Sequence, residues 1–219
     1  MLSKDLLIKE IPSLKLSDTG SIALSLMEDF KLKHLPIIDD GKYVCLVSER
    51  NIFSMDNIED VIKGICLFAP YVGENTHILE ILRIMGNDNL TLLPVVDEGG
   101  NLLGNITLSI LTEKLSEITS AGSNGALIAL EVNPLDYDLS NIVRLVESNN
   151  AKILSFFTYP LEDTGKSILM VKIDLEDASP VLRSFERFNY KVAYYFQKRG
   201  LSDDTQRDRL DELMYYLEM

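Results

Sequence analysis

The sequence is short of the residues that most enzymatic and metal chemistry uses. Its 219 residues include two histidines, two cysteines and no tryptophan. His34 and His77 stand far apart in sequence with no cysteine beside either, so no zinc-type ligand set is expected. No Ser/His/Asp constellation or glycine-rich phosphate loop is present, and general acid–base work would fall to carboxylates. The acidic pairs Asp39/Asp40 and Asp203/Asp204 sit in a turn and at a helix start, where solvated charge is the ordinary reading. The expectation is a protein without catalytic activity or a resident metal. Cys45 and Cys66 lie in the apolar stretches "YVCLV" and "GICLF", which suit buried, reduced thiols better than a disulfide framework. Apolar runs also stay below the roughly 18–20 residues of a membrane span. The start, "MLSKDLLIKE", breaks its apolar residues with charge, unlike a signal peptide. A cytoplasmic location is the resulting expectation.

Basic residues are in deficit as well. There are 21 Lys and Arg against 34 Asp and Glu, a net charge of −13. Residues 1–118 carry −8 and the remainder −5, so neither half presents the basic surface that a phosphate backbone requires. Neither nucleic acid nor a membrane is expected as a partner. The apolar content of 46% is enough for a sizeable core in two small domains.

What the chain does contain is a phrase written twice. "HLPIIDDG" at residues 34–41 returns as "LLPVVDEGG" at 92–100, and the match extends upstream at a constant offset of 58. Laying residues 12–41 over 70–99 gives eight identities in thirty positions, among them Met27/Met85, Pro36/Pro94 and Asp39/Asp97. After the turn the second copy holds one extra residue, and the offset becomes 59. Each copy reads as an amphipathic helix, carrying Ala23, Leu24, Met27 and Phe30 or Ile78, Ile81, Leu82 and Met85 on its apolar stripe. A short strand follows, then an Asp/Gly turn and a second strand. A hydroxyl residue, Ser48 or Thr107, stands where the next helix begins.

With a Met at the helix end, a "hPVVD" strand, a Gly turn and a hydroxyl at the next helix, residues 1–118 resemble a tandem pair of CBS domains, with repeats at about 1–60 and 61–118. The resemblance implies two βαβ-type repeats that pack face to face about a pseudo-two-fold axis, with clefts between the paired sheets. In the family such clefts often hold AMP, ADP, ATP or S-adenosylmethionine as an effector. There the hydroxyl of T-x-x-D reaches the phosphate end and the Asp accepts from the ribose diol, a task suited to a carboxylate. Here the hydroxyls persist as Ser48 and Thr107, while Asn51 and Ile110 replace the two Asp residues. Asn51 can still accept one bond; Ile110 accepts none. The candidate ligand residues are therefore His34, Pro36, Ser48, Asn51, Pro94 and Thr107, with the first cleft the better equipped. Ser48 and Thr107 also stand where a helix N-cap hydroxyl belongs for stability alone, and His77 reads as part of a helix N-terminal turn.

Beyond a small polar stretch, "TSAGSNG" at 119–125, periodicity restarts. "ALIALEV", "KILSFFTY", "SILMVKI" and "KVAYYF" read as strands, with helical faces marked by Leu139, Ile142, Val143 and Val146 and by Val181, Leu182, Phe185 and Phe188. The order βαββαβ over residues 125–197 is the ferredoxin-like plan, and after a CBS pair it resembles an ACT domain, as in acetoin-utilisation-type proteins. The fold class expected is thus α+β. In place of the glycine usual at the first strand-to-helix turn stands Tyr137, flanked by Asp136 and Asp138, which argues against an amino-acid effector there; Asp138 reads as a helix cap. Residues 198–219 read as a helical tail with a stripe of Leu210, Leu213, Met214 and Leu217. The whole implies a regulatory homodimer acting on an unidentified client protein, with a ligand-free interaction module as the alternative.

Overall fold

The computed structural model describes residues 1–162 and 164–197, which form two compact units that divide between Leu115 and Ser116. The expected tail at 198–219 lies outside the described residues.

In the first unit the repeat is carried down to single hydrogen bonds. Helix α1 (Gly20–Phe30) buries Gly20, Ala23 and Met27, and helix α3 (Ile78–Asn87) buries Ile78, Ile81 and Met85, the same positions at an offset of 58. Each helix is followed by a residue in the left-handed region, Lys31 (φ 55°) and Asn89 (φ 52°). The next amide then reaches back to the methionine: Leu32 N donates to Met27 O and Leu90 N to Met85 O, both at 2.9 Å. Strands β1 (His34–Asp39) and β2 (Lys42–Ser48) form one antiparallel hairpin, and β3 (Leu92–Val96) and β4 (Leu102–Thr107) the other. The first turn is the two-residue Asp40–Gly41, both with positive φ (47° and 80°), which matches the strand twist. Short helix α2 (Glu49–Phe53) and helix α4 (Leu108–Ile118) close the repeats.

The βαβ character of each repeat survives in reduced form, as a single parallel bridge in place of a full first strand. Leu14 bridges Ile37 ahead of α1, and Val72 bridges Val95 ahead of α3. The chain also crosses between copies: Ile8 bridges Asn105 of the second hairpin before Leu14 joins the first. In mirror fashion Leu46 N donates to Phe68 O at 2.9 Å before Val72 joins the second hairpin. At the hairpin tips Tyr43 N donates to Gly100 O and Leu102 N to Gly41 O, a reciprocal pair that fixes an internal dyad. One core results, built from both copies: Leu14, Leu35, Ile37 and Val47 with Leu92, Leu93, Val95 and Ile106, all fully buried. Neither hairpin buries its apolar face alone, which is why the copies come as a pair.

One expectation fails. Cys45 and Cys66 are joined as a disulfide, with Cα atoms 5.8 Å apart. That span lies inside the range a disulfide bridges. Sequence reading missed it because the pairing depends on the crossover that lays residues 66–68 against β2, a contact no local pattern announces.

The second unit is the ferredoxin-like βαββαβ plan. Strands β5 (Leu127–Val132), β6 (Ile153–Pro160), β7 (Ser167–Ile173) and β8 (Lys191–Phe196) form an antiparallel sheet in the order β6-β7-β5-β8. Helices α5 (Leu139–Glu147) and α6 (Ser179–Arg187) cover one face through Ile142, Leu145, Val146, Val181 and Phe185. Asp138 caps α5 as expected, its Oδ1 accepting from Asn141 N at 3.1 Å, and Tyr137 packs against this core. On the open face Glu131 is bracketed by Lys166 and Lys191, whose ammonium groups hold its carboxyl below the usual range. Residues 119–124 contain turns and bends with no helix or strand.

Candidate functional site

In the first unit, the first hairpin and the α3–β3 junction enclose a cleft of about 480 Å³. His34, Leu46 and Ser48 form one wall, Phe68 comes from the crossover, and Asn89 and Leu90 come from the second repeat. The cleft therefore exists only because two copies meet. Antiparallel register puts His34 opposite Ser48 and Pro36 opposite Leu46, so these four side chains share one face of the hairpin.

Ser48 and Asn51 are more tightly engaged than a ligand pair waiting for ribose. Ser48 Oγ accepts from Asn51 N at 3.1 Å, capping α2. In return Asn51 Oδ1 accepts from both Ser48 N (3.1 Å) and Ser48 Oγ (2.6 Å). Both lone pairs of that oxygen are therefore in use. In this arrangement what Asn51 has left to offer a ligand is its amide N–H. In the second repeat Thr107 Oγ1 accepts from Ile110 N at 3.3 Å, the same capping contact.

His34 ties the two repeats together at the cleft wall. Its Nδ1 accepts from Thr91 N at 3.3 Å and lies 3.0 Å from Thr91 Oγ1, while Lys33 N donates to the same hydroxyl at 3.0 Å. Thr91 is the counterpart of Lys33 at an offset of 58, so these bonds cross the internal dyad. An accepting Nδ1 places the ring proton on Nε2. Burial pushes the His34 pKa below 6.5, only partly offset by Glu49, and Lys33 adds to the depression. At neutral pH His34 is a neutral hydrogen-bond donor in the cleft. Lys33 and Arg50 supply positive charge at the rim, and Glu49 and Asp88 negative charge.

Pro36 and Pro94 are buried and line no part of this cleft. Their carbonyls accept from Leu14 N (2.8 Å) and Val72 N (3.0 Å), which makes them anchors for the parallel bridges. His77 caps α3, its Nδ1 accepting from Leu79 N at 3.3 Å. Leu46, Phe68 and Leu90 were not among the sequence candidates, since apolar residues in apolar runs carry no signal of which face meets a cavity. Among the described residues no group of three or more His, Cys, Asp or Glu could hold a metal ion. No helix among them is long and apolar enough to cross a membrane.

The CBS domain profile matches residues 3–56 and 59–117, just over half of the chain. The chain belongs to the CBS domain family. Over 193 residues it is 25% identical to inosine-5'-monophosphate dehydrogenase of Thermoplasma acidophilum, covering 86% of this chain and 36% of that one. It is 26% identical over 135 residues to a CBS domain-containing protein of Dictyostelium discoideum, covering 54% of this chain and 93% of that one. The chain spans about a third of the length of the dehydrogenases it matches. Among solved structures it is similar to a CBS domain pair/ACT domain protein of Thermotoga maritima, with TM-score 0.49, 23% identity and coverage of 53% and 98%. It is also similar to CBSX2 in complex with AMP, with TM-score 0.49, 24% identity and coverage of 53% and 97%.

Proposed function

We propose that this CBS protein is a non-catalytic regulator whose first cleft takes an adenosine nucleotide. What supports the reading most is the cleft built by both repeats, with the neutral His34 and the Ser48–Asn51 pair on its wall and Lys33 and Arg50 at its rim. Its volume of about 480 Å³ falls within the range of small-molecule sites. A base can lie against Leu46 and Phe68, the Asn51 amide N–H can donate to a ribose oxygen, and the rim cations can face phosphate. Two cations and two acids at the rim leave AMP, ADP and ATP all to be tested. S-adenosylmethionine, a cation at its sulfonium, is the other effector to test against the same rim. The regulatory route is differential affinity: the ligand shifts whichever arrangement of the protein it binds better.

The rest of the proposal is a cytoplasmic homodimer with neither nucleic acid nor membrane as partner. Its ferredoxin-like unit serves as an ACT-type assembly domain acting toward a client protein. Calorimetric titration with AMP, ADP, ATP and S-adenosylmethionine tests the ligand. Ser48→Ala and Asn51→Leu should weaken AMP; affinity unchanged in both would remove the assignment. A second reading, a ligand-free interaction module, draws on the mutual saturation of Ser48 and Asn51. A thermal-shift screen separates the two. Ligand at a hundred times its Kd stabilises by about 2.7 kcal/mol, whereas the interaction module responds to none of the four.

A further inference from the structure

We propose that the open face of the ferredoxin-like sheet is a docking surface whose occupant is the chain's own segment 202–219. The inference stands apart from the nucleotide reading, which concerns the first unit. Helices α5 and α6 cover one face of the sheet, and the strand period of two sends alternate side chains to the other. On that open face Phe157 stands opposite Met170 and Tyr159 opposite Ile168. Tyr194 stands opposite Ala129 and Phe196 opposite Leu127. Tyr159 Oη and Tyr194 Oη lie 2.7 Å apart, and Tyr194 Oη lies 3.4 Å from Met170 Sδ. Two edge-strand rings thus arch over the middle strands and bury Ala129, Ile168 and Met170. Among the described residues, the partly buried apolar side chains packed with those three are Leu127 and Leu161, from the sheet and its turn. The aromatics themselves stay bare: Phe157 is 43% exposed, Tyr159 and Tyr194 38% each, and Phe196 66%.

The size of the bare patch favours one helix over a second copy. At about 200 Å² for a whole aromatic side chain, the four rings leave roughly 350–400 Å² uncovered. A second copy stacked here would bury about half of the roughly 800 Å² per partner that a stable dimer takes, whereas one amphipathic helix fits a patch of that area. Charge points the same way. The strands place Lys172, Lys191 and Glu131 on this face, and Lys166 reaches Glu131 from the turn, so three lysines meet one glutamate on a chain of net charge −13. Residues 202–219 hold six acids against two arginines, a net −4. Position and length agree as well. Strand β8 ends at Phe196, on the edge of this face, and residues 198–219 follow directly. The stripe Leu210, Leu213, Met214 and Leu217 recurs at helical spacing. Residues 203–218 as a helix would run about 24 Å at 1.5 Å per residue, more than the roughly 14 Å across four strands. With this face taken by the segment, assembly of copies falls to other surfaces.

Calorimetric unfolding and light scattering of the full chain test this, using the wild type, Leu213→Asp/Met214→Asp, Phe157→Ala/Phe196→Ala and the two pairs combined. The stripe variant should lower the Tm of the second unit by about 5 °C or more. In the combined variant the loss should be smaller than the sum of the separate losses, because the two pairs of residues touch. Losses that add in full would seat the segment elsewhere and overturn the proposal, as would a Tm unmoved by Leu213→Asp/Met214→Asp. A second-unit Tm that rises with protein concentration, together with a wild-type dimer that Phe157→Ala/Phe196→Ala dissociates, would put a second copy on this face and overturn it too.

Discussion

Opening the Cys45–Cys66 disulfide is the perturbation with the clearest expected size. The bond closes a loop between residues 21 apart in sequence, and tying off a loop of about 20 residues lowers the entropy of the unfolded chain by roughly 3 kcal/mol. A domain's whole stability is about 5–15 kcal/mol, so the loss is a large share of it. The consequence reaches the first cleft. Cys45 immediately precedes Leu46 and Cys66 lies two residues before Phe68, and Leu46 N and Phe68 O are themselves bonded at 2.9 Å. The disulfide thus clamps the two walls against which a base would lie. Thermal unfolding with and without tris(2-carboxyethyl)phosphine, beside Cys66→Ser, should show a fall of about 10 °C in the Tm of the first unit. AMP affinity should fall in parallel as Phe68 loosens. Two free thiols titrated in the untreated native protein, or a Tm indifferent to reductant, would refute the reasoning.

Three further outcomes follow from single residues. Gly125 has φ 120°, and a Cβ there would overlap the carbonyl oxygen of Ile173; Gly125→Ala should destabilise the second unit by about 2 kcal/mol or more, read by urea unfolding. The folded pKa of His34 lies below its unfolded 6.5, so the unfolded chain binds the proton first. Stability contributed by the neutral ring is full above 6.5 and declines as pH falls through the window beneath it; an NMR titration midpoint at or above 6.5 would contradict this. Glu131 runs by the carboxylate rule: its pKa is held low by Lys166 and Lys191, so its stabilisation is present above the ordinary carboxylate range and is lost as pH falls through the depressed value. Glu131→Gln should flatten that acid limb in a pH series of melting temperatures.

Much of this architecture was legible in the sequence because it rests on periodicity. The offset of 58 located both helices, both hairpins and even the matching buried positions Ala23/Ile81 and Met27/Met85. Element order alone sufficed for the ferredoxin-like unit, since strands and helices of ordinary length alternate there with clear turns. The site was legible only in part. Ser48 and Asn51 were found by their place in a motif, but a motif does not say whether their polar atoms are free, and here they satisfy each other. Pro36 and Pro94 were conspicuous as letters and turned out to anchor backbone. Phe68 and Cys66 owe their significance to the crossover of residues 66–72 between hairpins, a long-range pairing with no local signature.

That crossover also bears on how the two repeats can move. Ile8 belongs to the sheet of the second hairpin and Leu14, six residues on, to that of the first; Phe68 and Val72 repeat the arrangement in the opposite sense. His34 adds a side-chain link, Nδ1 accepting from Thr91 N across the dyad. A change of register or tilt in one hairpin therefore cannot be confined to that hairpin, because the strap that forms its edge is also the edge of the other. The cleft takes its lining from both repeats, His34, Leu46, Ser48 and Asn51 from the first and Asn89 and Leu90 from the second. A ligand seated in a cleft built from both repeats would shift that core whenever its affinity differs between two arrangements of it, and the shared straps would carry the shift from one hairpin to the other.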